Sequence, residues 1–145
     1  MAIGNIIRKN ISYCKPTTPI QEVAQIMKED EVGAVLILEA GTPKGIVTDR
    51  DIVIRCISEA IDPAQTPVEK IMTTGVEAVT VDQGIYEVAH KMKEASVRRV
   101  AVVDAAGNAV GLLSFDDVFD LLAEELSDLR IAVLPRTPKI INKAA

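Results

Sequence analysis

Two short stretches of this chain place a hydroxyl residue directly after an apolar run and an acid three positions further on. They are Gly45-Ile-Val-Thr-Asp-Arg-Asp51 and Gly111-Leu-Leu-Ser-Phe-Asp-Asp117. If the hydroxyl residue is the N-cap of a helix, unpaired backbone N–H groups and the positive end of the helix dipole lie beside it and can hold an anion. An acid in the same turn can accept hydrogen bonds from sugar hydroxyls. Thr48 with Asp51, and Ser114 with Asp117, therefore predict a place for a phosphate next to a ribose.

Each stretch also has an interpretation that needs no ligand. Ser or Thr followed three residues later by an acid is a capping box, in which side chains satisfy the first amides of a helix. Such a cap stabilises a helix by about 0.5–2 kcal/mol on its own. The residues alone leave both interpretations open, because a duplication copies a cap as readily as a binding site.

The two stretches belong to an internal repeat. Ile20, Val23 and Met27 recur 65 residues later as Ile85, Val88 and Met92. After a loop with one extra residue the offset becomes 66, so that Gly45, Thr48 and Asp51 correspond to Gly111, Ser114 and Asp117. The repeat predicts two similar halves at 1–60 and 68–130, joined by a proline-containing linker at 61–67.

Each half predicts the same order of elements. A short extended piece comes first, and an amphipathic helix follows; in the first half Thr18-Pro19-Ile20-Gln21 predicts its start, with Thr18 as the cap. Two apolar strands and a closing helix complete each half, the closing helices being predicted at 49–60 and 115–130. On the second closing helix Val118, Leu121, Leu122, Leu126 and Leu129 are predicted to face inward. Residues 131–145 are predicted to be a C-terminal tail, either mobile or a partner-docking arm.

The composition excludes several classes of function. The net charge of −5 argues against nucleic acid as a main partner, because phosphate neutralisation needs a basic face. A weaker alternative assigns nucleic-acid binding to the basic tail. The apolar runs are too short to span a membrane, no secretory signal is visible, and Cys14 and Cys56 do not have a metal-binding or redox spacing. A cytoplasmic protein is expected.

The repeated β-α-β-β-α unit, each copy ending in Gly, two aliphatics, Ser or Thr, two variable residues and Asp, resembles the cystathionine-β-synthase (CBS) domain pair. Ser96-Val-Arg-Arg-Val-Ala-Val-Val-Asp104 before the second copy strengthens the resemblance, which covers about 1–130. The resemblance implies a stand-alone Bateman module of mixed α/β (α+β) class, with tandem repeats packed through their sheets about a pseudo-two-fold axis. It also implies two clefts that bind AMP, ADP, ATP or S-adenosylmethionine as a regulatory ligand, with no required cofactor and no metal.

The same resemblance implies roles for particular residues. Thr48 and Ser114 would meet phosphate or ribose, and Asp51 and Asp117 would bind ribose. Arg98 and Arg99 would reach phosphates, which makes the cleft nearest Ser114 the better phosphate site and leaves Arg50 as the nearest cation of the other cleft. The remaining implied positions line the adenine slots; they are Val32, Gly33, Ala34, Thr80 and Val81.

No phosphate-binding loop, nucleophile elbow or catalytic triad is present in the sequence, so the chain is not expected to be an enzyme. The leading hypothesis is a sensor of adenosine nucleotides that signals to a protein partner in trans. The alternative is a ligand-free dimerisation or interaction scaffold in which Asp51 and Asp117 only cap helices. A homodimer is expected from Leu121, Leu122, Leu126 and Leu129, which resemble the dimer-forming helices of the family.

Overall fold

The computed structural model describes Ile3 and residues 11–133, with side chains up to Arg130. The strands are β1 (Tyr13–Cys14), β2 (Ala34–Glu39), β3 (Thr42–Thr48), β4 (Thr73–Thr74), β5 (Ala78–Thr80), β6 (Arg99–Val103) and β7 (Ala109–Ser114). The α-helices are α1 (Ile20–Glu29), α2 (Asp49–Ile52), α3 (Ile85–Ala95) and α4 (Phe115–Val133). A π-helical turn at Val53–Ile57 extends α2, and a 3-10 turn at Val68–Lys70 precedes β4. The predicted mixed class and repeated order of elements are confirmed.

The strands form two separate sheets, one for each half. In the first sheet the order is β1-β2-β3-β4, and in the second it is β5-β6-β7. Within each half the first strand is parallel to the second and the second is antiparallel to the third, with Leu36 opposite Ile46 and Ala101 opposite Leu112. The sheets are therefore built on one plan, and equivalent residues lie at equivalent places.

Alternate residues of β2 and β6 pack against the helices. Val35 and Ile37 of β2, and Val100 and Val102 of β6, are fully buried in the cores of their own halves, as the twofold period of a strand requires. Cys14 and Cys56 are free thiols in the core of the first half. Burial raises the pKa of the Cys14 thiol to about 11, an effect that its hydrogen bond with Thr18 partly offsets.

The segments that lead into the two halves are exchanged between them. Val68, which follows the linker, is buried in the core of the first half, and its amide donates to the carbonyl of Thr18 at 2.8 Å. Ile3 is buried in the core of the second half, and its amide donates to the carbonyl of Gln83 at 3.0 Å. Because each core includes a residue of the other lead-in segment, the halves are tied together by apolar burial.

Strand β4 continues this exchange by pairing with β3 of the first half. Gly45 lies opposite Thr74, and a Cβ atom at position 45 would lie 2.5 Å from the sulfur of Met72 and 2.9 Å from the carbonyl oxygen of Thr73. Contacts that short would require backbone displacement. The glycine that opens the first repeated motif is therefore required by the close approach of β4.

The faces of β2 and β6 that point away from the helices are buried as well. Leu36 and Ala101 are fully buried and Ala34 is nearly so, although none of them belongs to either helix-covered core. Residues of both halves also line common clefts at these faces. The two halves pack through their sheets in the pseudo-two-fold arrangement that was predicted.

Helix α1 begins later than the sequence pattern predicted. Ile20 is its first residue, and Thr18 does not cap it; the Thr18 hydroxyl accepts a hydrogen bond from the amide of Lys15 at 3.2 Å instead. The amides of Ile20 and Gln21 donate to the carbonyls of Thr66 and Pro63, each at 3.0 Å. The linker therefore caps this helix, which a local sequence motif could not reveal.

Helix α4 does not bury all of the leucines that were predicted to face inward. Val118 and Leu121 are buried, but Leu122, Leu126 and Leu129 are 43%, 66% and 59% exposed. A helix of 19 residues is about 28 Å long, whereas α3, against which it packs, has 11 residues and is about 16 Å long. The C-terminal part of α4 therefore extends past α3. Residues 131–133 of the predicted tail continue the helix, and 134–145 lie outside the described residues.

Candidate functional site: two clefts between the halves

Both hydroxyl and acid pairs form capping boxes. At the start of α2, one carboxylate oxygen of Asp51 accepts from the Thr48 amide at 2.9 Å and from the Thr48 hydroxyl at 3.0 Å, and the Asp51 amide donates to that hydroxyl at 3.3 Å. At the start of α4, Asp117 accepts from the amide and the hydroxyl of Ser114 at 2.9 and 2.5 Å. The predicted capping boxes are therefore present, and their hydrogen bonds do not exclude a ligand at either helix start.

The amides of the first turn of α2 are already used. The Asp49 amide donates to the carbonyl of Gly33 at 3.1 Å, and the Arg50 amide donates to the side chain of Asp49 at 2.8 Å. The Asp51 amide is bonded to Thr48, as described above. An anion beside the start of α2 therefore depends on side-chain cations, because residues 49–51 offer it no free amide.

Arg55 supports Asp51 from the following turn of the helix. Its guanidinium lies 3.6 Å from the second carboxylate oxygen of Asp51. It also donates to the carbonyl of Ile71 at 2.8 Å and to the hydroxyl of Thr73 at 3.2 Å. Arg55 therefore connects Asp51 to the segment that contains Ile71 and Thr73. The equivalent position of the second half is occupied by Leu121, which has no charge.

The first cleft, named here the Thr48 cleft, has a volume of about 240 Å³. Thr48 and Asp51 line one wall, and Arg98 and Arg99 of the second half line the opposite wall. The remaining residues come from β3 and from the start of the second half; they are Ile46, Thr73, Gly75, Val76, Glu77 and Val97. In this cleft the capping box of the first half therefore lies across from the start of β6 in the second half.

The second cleft, named here the Ser114 cleft, repeats this plan with the halves exchanged and also has a volume of about 240 Å³. Ser114 and Asp117 face the segment that contains Val32, Gly33 and Ala34. The remaining residues are Ile11, Ser12, Glu31, Arg99, Leu112 and Asp116. Arg99 lines both clefts, because it lies at the start of β6 on the face that is turned toward the other sheet.

This arrangement corrects the expected position of the cations. Arg98 lines the Thr48 cleft and not the Ser114 cleft, although its guanidinium lies 3.6 Å from Asp116 and 6.0 Å from the ring centre of Phe115. Arg98 was expected beside Ser114 because both residues belong to the same half. In the structure each capping box meets the β-strand start of the opposite half, so both Arg98 and Arg99 line the Thr48 cleft.

The charges that line the two clefts differ accordingly. The Thr48 cleft has two carboxylates, Asp51 and Glu77, and two guanidiniums, Arg98 and Arg99. Among the described residues, the Ser114 cleft has three carboxylates, Glu31, Asp116 and Asp117, and the guanidinium of Arg99; Asp116 is also paired with Arg98 at 3.6 Å. Glu77 is also paired with Lys91 at 3.4 Å, which reduces its effect on an anion. Among the described lining residues, the Thr48 cleft therefore has one more guanidinium and one fewer carboxylate than the Ser114 cleft.

Three of the implied site residues line neither cleft. Arg50 is exposed on the first turn of α2, and Val81 is 42% exposed after β5. Thr80 is the last residue of β5, and its amide donates to the side chain of Gln83 at 2.9 Å. The residues that occupy the expected place are Val76 and Glu77, and Ile11 and Ser12 in the other half. The 65-residue offset relates these two pairs and is the signal that could have identified them.

Comparison with known proteins identifies the family. The model of the CBS domain matches the chain twice, at residues 3–57 and 68–124. The chain belongs to the CBS domain family. CBS domain-containing protein YhcV of Bacillus subtilis is 31% identical to it, over 81% of this chain and 82% of that protein. Uncharacterized protein MK0525 of Methanopyrus kandleri is 30% identical over 83% of this chain, which spans only 62% of that relative.

Solved structures show the same fold. The CBS domain pair of protein MJ0100, solved in complex with 5′-methylthioadenosine and S-adenosyl-L-methionine, aligns with a TM-score of 0.76 at 25% identity. The alignment covers 86% of this chain and 98% of that one. The predicted pair of CBS domains is therefore confirmed by the family match and by the fold.

The described part of the chain contains no cluster of His, Cys, Asp and Glu side chains that could hold a metal ion. Within the same residues, no helix is both long enough and apolar enough to cross a membrane.

Proposed function

We propose that this CBS domain pair is a regulatory module, not an enzyme, that binds an adenosine ligand between its halves and signals its occupancy to a protein partner. The observation that carries the proposal is the composition of the Thr48 cleft, where the carboxylate of Asp51 and two arginines line one cleft of about 240 Å³. The adenosine-type ligands of the MJ0100 pair support the ligand class. The free, buried thiols of Cys14 and Cys56 suit a reducing compartment, and we place the module in the cytoplasm.

The contacts of the capping box limit how the ligand binds. One oxygen of Asp51 already accepts two hydrogen bonds, so a ribose hydroxyl would donate to the other oxygen, which is near Arg55. The phosphates would lie against Arg98 and Arg99, since charge-assisted hydrogen bonds are the strongest available there. Adenine would occupy the less polar end of the cleft near Ile46, Val76 and Val97.

Signalling requires that the ligand prefers one arrangement of the halves over another. Each cleft is lined by both halves, so a bound ligand contacts both at once. A ligand shifts a conformational equilibrium only by the difference in its affinity for the two states. We propose that occupancy of the clefts alters the relative position of the sheets, which the partner reads in trans.

The test is calorimetry with AMP, ADP, ATP and S-adenosylmethionine on the wild type, Asp51→Asn and Asp117→Asn. Asparagine still accepts a hydrogen bond at the cap, but it does so without charge. If the aspartates bind ribose, each variant should lose affinity at its own cleft and little stability. If they only cap helices, each should lose roughly 0.5–1 kcal/mol of stability with unchanged affinity. Absence of binding of all four ligands at millimolar concentration would favour the scaffold.

We also propose that the module is a homodimer. The π-helical turn after α2 exposes Val53, Ile54 and Ile57, and α4 exposes Phe115, Phe119, Leu122, Leu126 and Leu129. An apolar surface made by two closing helices is the kind of surface that a protein partner covers, and a second copy offers a matching one. Sedimentation should give a dimer for the wild type and for Tyr86→Lys, a control on exposed α3, and a monomer for Leu126→Lys. A monomeric wild type at micromolar concentration would contradict this.

A further inference from the structure

Arg99 is the one residue that lines both clefts among the residues described. It is half-buried at the start of β6, opposite Ser114 in the strand ladder. Its side chain lies on the same face as Ala101, which is fully buried where the sheets meet. Within the described residues its guanidinium makes no ion pair or hydrogen bond. It is therefore a half-buried cation that remains available to a ligand from either side.

The first half has no equivalent of this cation. By the 65-residue offset, Ala34 of the first half corresponds to Arg99, and Gly33 corresponds to Arg98. The Thr48 cleft can therefore hold an anion with two guanidiniums, whereas Arg99 is the one guanidinium among the described residues that line the Ser114 cleft. If Arg99 turns toward a phosphate in the Thr48 cleft, its guanidinium is no longer available to an anion in the Ser114 cleft.

We propose that Arg99 couples the two clefts, so that an anionic adenosine ligand bound in the Thr48 cleft weakens the binding of a second anionic ligand in the Ser114 cleft. The inference rests on the proposed function, since it assumes that both clefts take adenosine ligands. An uncharged adenosine does not need Arg99, so its binding to the Ser114 cleft is independent of the other cleft. Because coupling free energies are reciprocal, anion binding in the Ser114 cleft weakens the Thr48 cleft by the same factor.

The experiment measures AMP and adenosine binding to each cleft separately by NMR, with the amide resonances of Val76 and Gly33 as reporters. In the wild type, AMP should bind the Thr48 cleft first. Its affinity for the Ser114 cleft should then be about five-fold or more lower than in Asp51→Asn, where the Thr48 cleft is weakened. Adenosine should show no such difference between the two proteins.

Arg99→Gln supplies the decisive comparison because it keeps a polar side chain of similar length without the charge. In this variant, AMP binding to the Ser114 cleft should be the same with and without Asp51→Asn. Lys44→Gln removes a positive charge far along β3 from both clefts and should leave the coupling intact. Raising the salt concentration should weaken the coupling less than it weakens a surface ion pair, since Arg99 is half-buried.

The outcomes separate this inference from the function on which it rests. Equal AMP affinities of the Ser114 cleft with and without an occupied Thr48 cleft would overturn the coupling, as would a difference that persists in Arg99→Gln. Tighter binding of the second AMP would also overturn it, because that result would mean that Arg99 bridges two phosphates. If neither AMP nor adenosine binds to either cleft, the proposed function itself fails.

Discussion

The Thr48 cleft and the Ser114 cleft share one construction but differ in charge. Each brings a capping box of one half against the start of the second strand of the other half. In the Thr48 cleft that strand start is Val97-Arg98-Arg99, whereas in the Ser114 cleft it is Val32-Gly33-Ala34. A duplicated fold has therefore produced two clefts of similar volume whose described linings differ in charge, through substitutions at two positions per strand.

The comparison teaches that a repeated motif identifies where a site is before it identifies what the site binds. Thr48 with Asp51 and Ser114 with Asp117 have nearly the same hydrogen bonds. The difference between the sites comes from residues about 65 positions away in sequence, which reach the motif only when the sheets pack. Of the four predictions below, three change one cleft and one changes the core of the first half; they run from the largest expected effect to the smallest.

Gly45→Ala should damage the Thr48 cleft most strongly. The added Cβ would collide with Met72 and with the backbone of Thr73, so β4 must shift, and overpacking of this kind costs about 1–3 kcal/mol. Thr73 and Gly75 line the cleft, so ligand affinity should fall there as well. Chemical denaturation and calorimetry measure both effects.

Gly33→Ala is the matched control in the other cleft. Its Cβ would lie 3.3 Å from the carboxylate of Asp49, an exposed side chain that can move aside. The change in unfolding free energy should be within about 0.5 kcal/mol. If Gly45→Ala is equally mild, the close approach of β4 does not explain the glycine.

Arg98→Gln should reduce the preference of the Thr48 cleft for ATP over adenosine. Hydrogen bonds to charged groups contribute about 1.5–3 kcal/mol, so a loss of about ten-fold in ATP affinity is expected while adenosine is unaffected. Calorimetry in an Asp117→Asn background would isolate this cleft. Asp116→Asn breaks the ion pair of Arg98 but keeps the guanidinium, and it should not lower ATP affinity.

Cys14→Val should make the stability of the protein less sensitive to alkaline pH. The offset places Val79 at the equivalent position, so the substitution gives the first half the residue of the second. Because burial raises the pKa of the Cys14 thiol from about 9 to about 11, the folded state holds the proton more tightly than the unfolded state. Stability is therefore full below pH 9 and falls as the pH rises toward 11.

At pH 10 the wild type should have lost roughly 1 kcal/mol of unfolding free energy through this group. Cys14→Val should lack that part of the loss, and denaturation of both proteins at pH 7 and pH 10 measures the difference. Identical alkaline profiles would show that the thiol contributes nothing.

Gly33→Arg should make the Ser114 cleft more like the Thr48 cleft. The new guanidinium would occupy the position that Arg98 has in the other half, close to Asp49, and would add a second cation opposite Ser114. A gain of about three-fold in AMP affinity at this cleft is expected, since an exposed charge contributes less than about 1 kcal/mol. Gly33→Gln is the neutral control, and an equal gain in that variant would assign the effect to contact and not to charge.

The sequence by itself determined the repeat, the order of elements, both capping boxes and the apolar faces of β2 and β6. These features depend on residues that are neighbours along the chain: Thr48 reaches Asp51 within one helical turn, and Val35 and Ile37 alternate along a strand. Local hydrogen bonds and periodic burial depend on residues within a few positions of each other, so the spacing of residue types in the sequence identifies them.

Only the tertiary structure decided which strand start faces which capping box, that Arg99 belongs to both clefts, and that the linker caps α1. It also showed that the first amides of α2 are occupied and that Leu122, Leu126 and Leu129 are exposed. The physical reason is that these contacts join residues far apart in the sequence, through the packing of two sheets and the exchange of Ile3 and Val68 between the cores. The spacing within one half carries no information on how the other half lies against it.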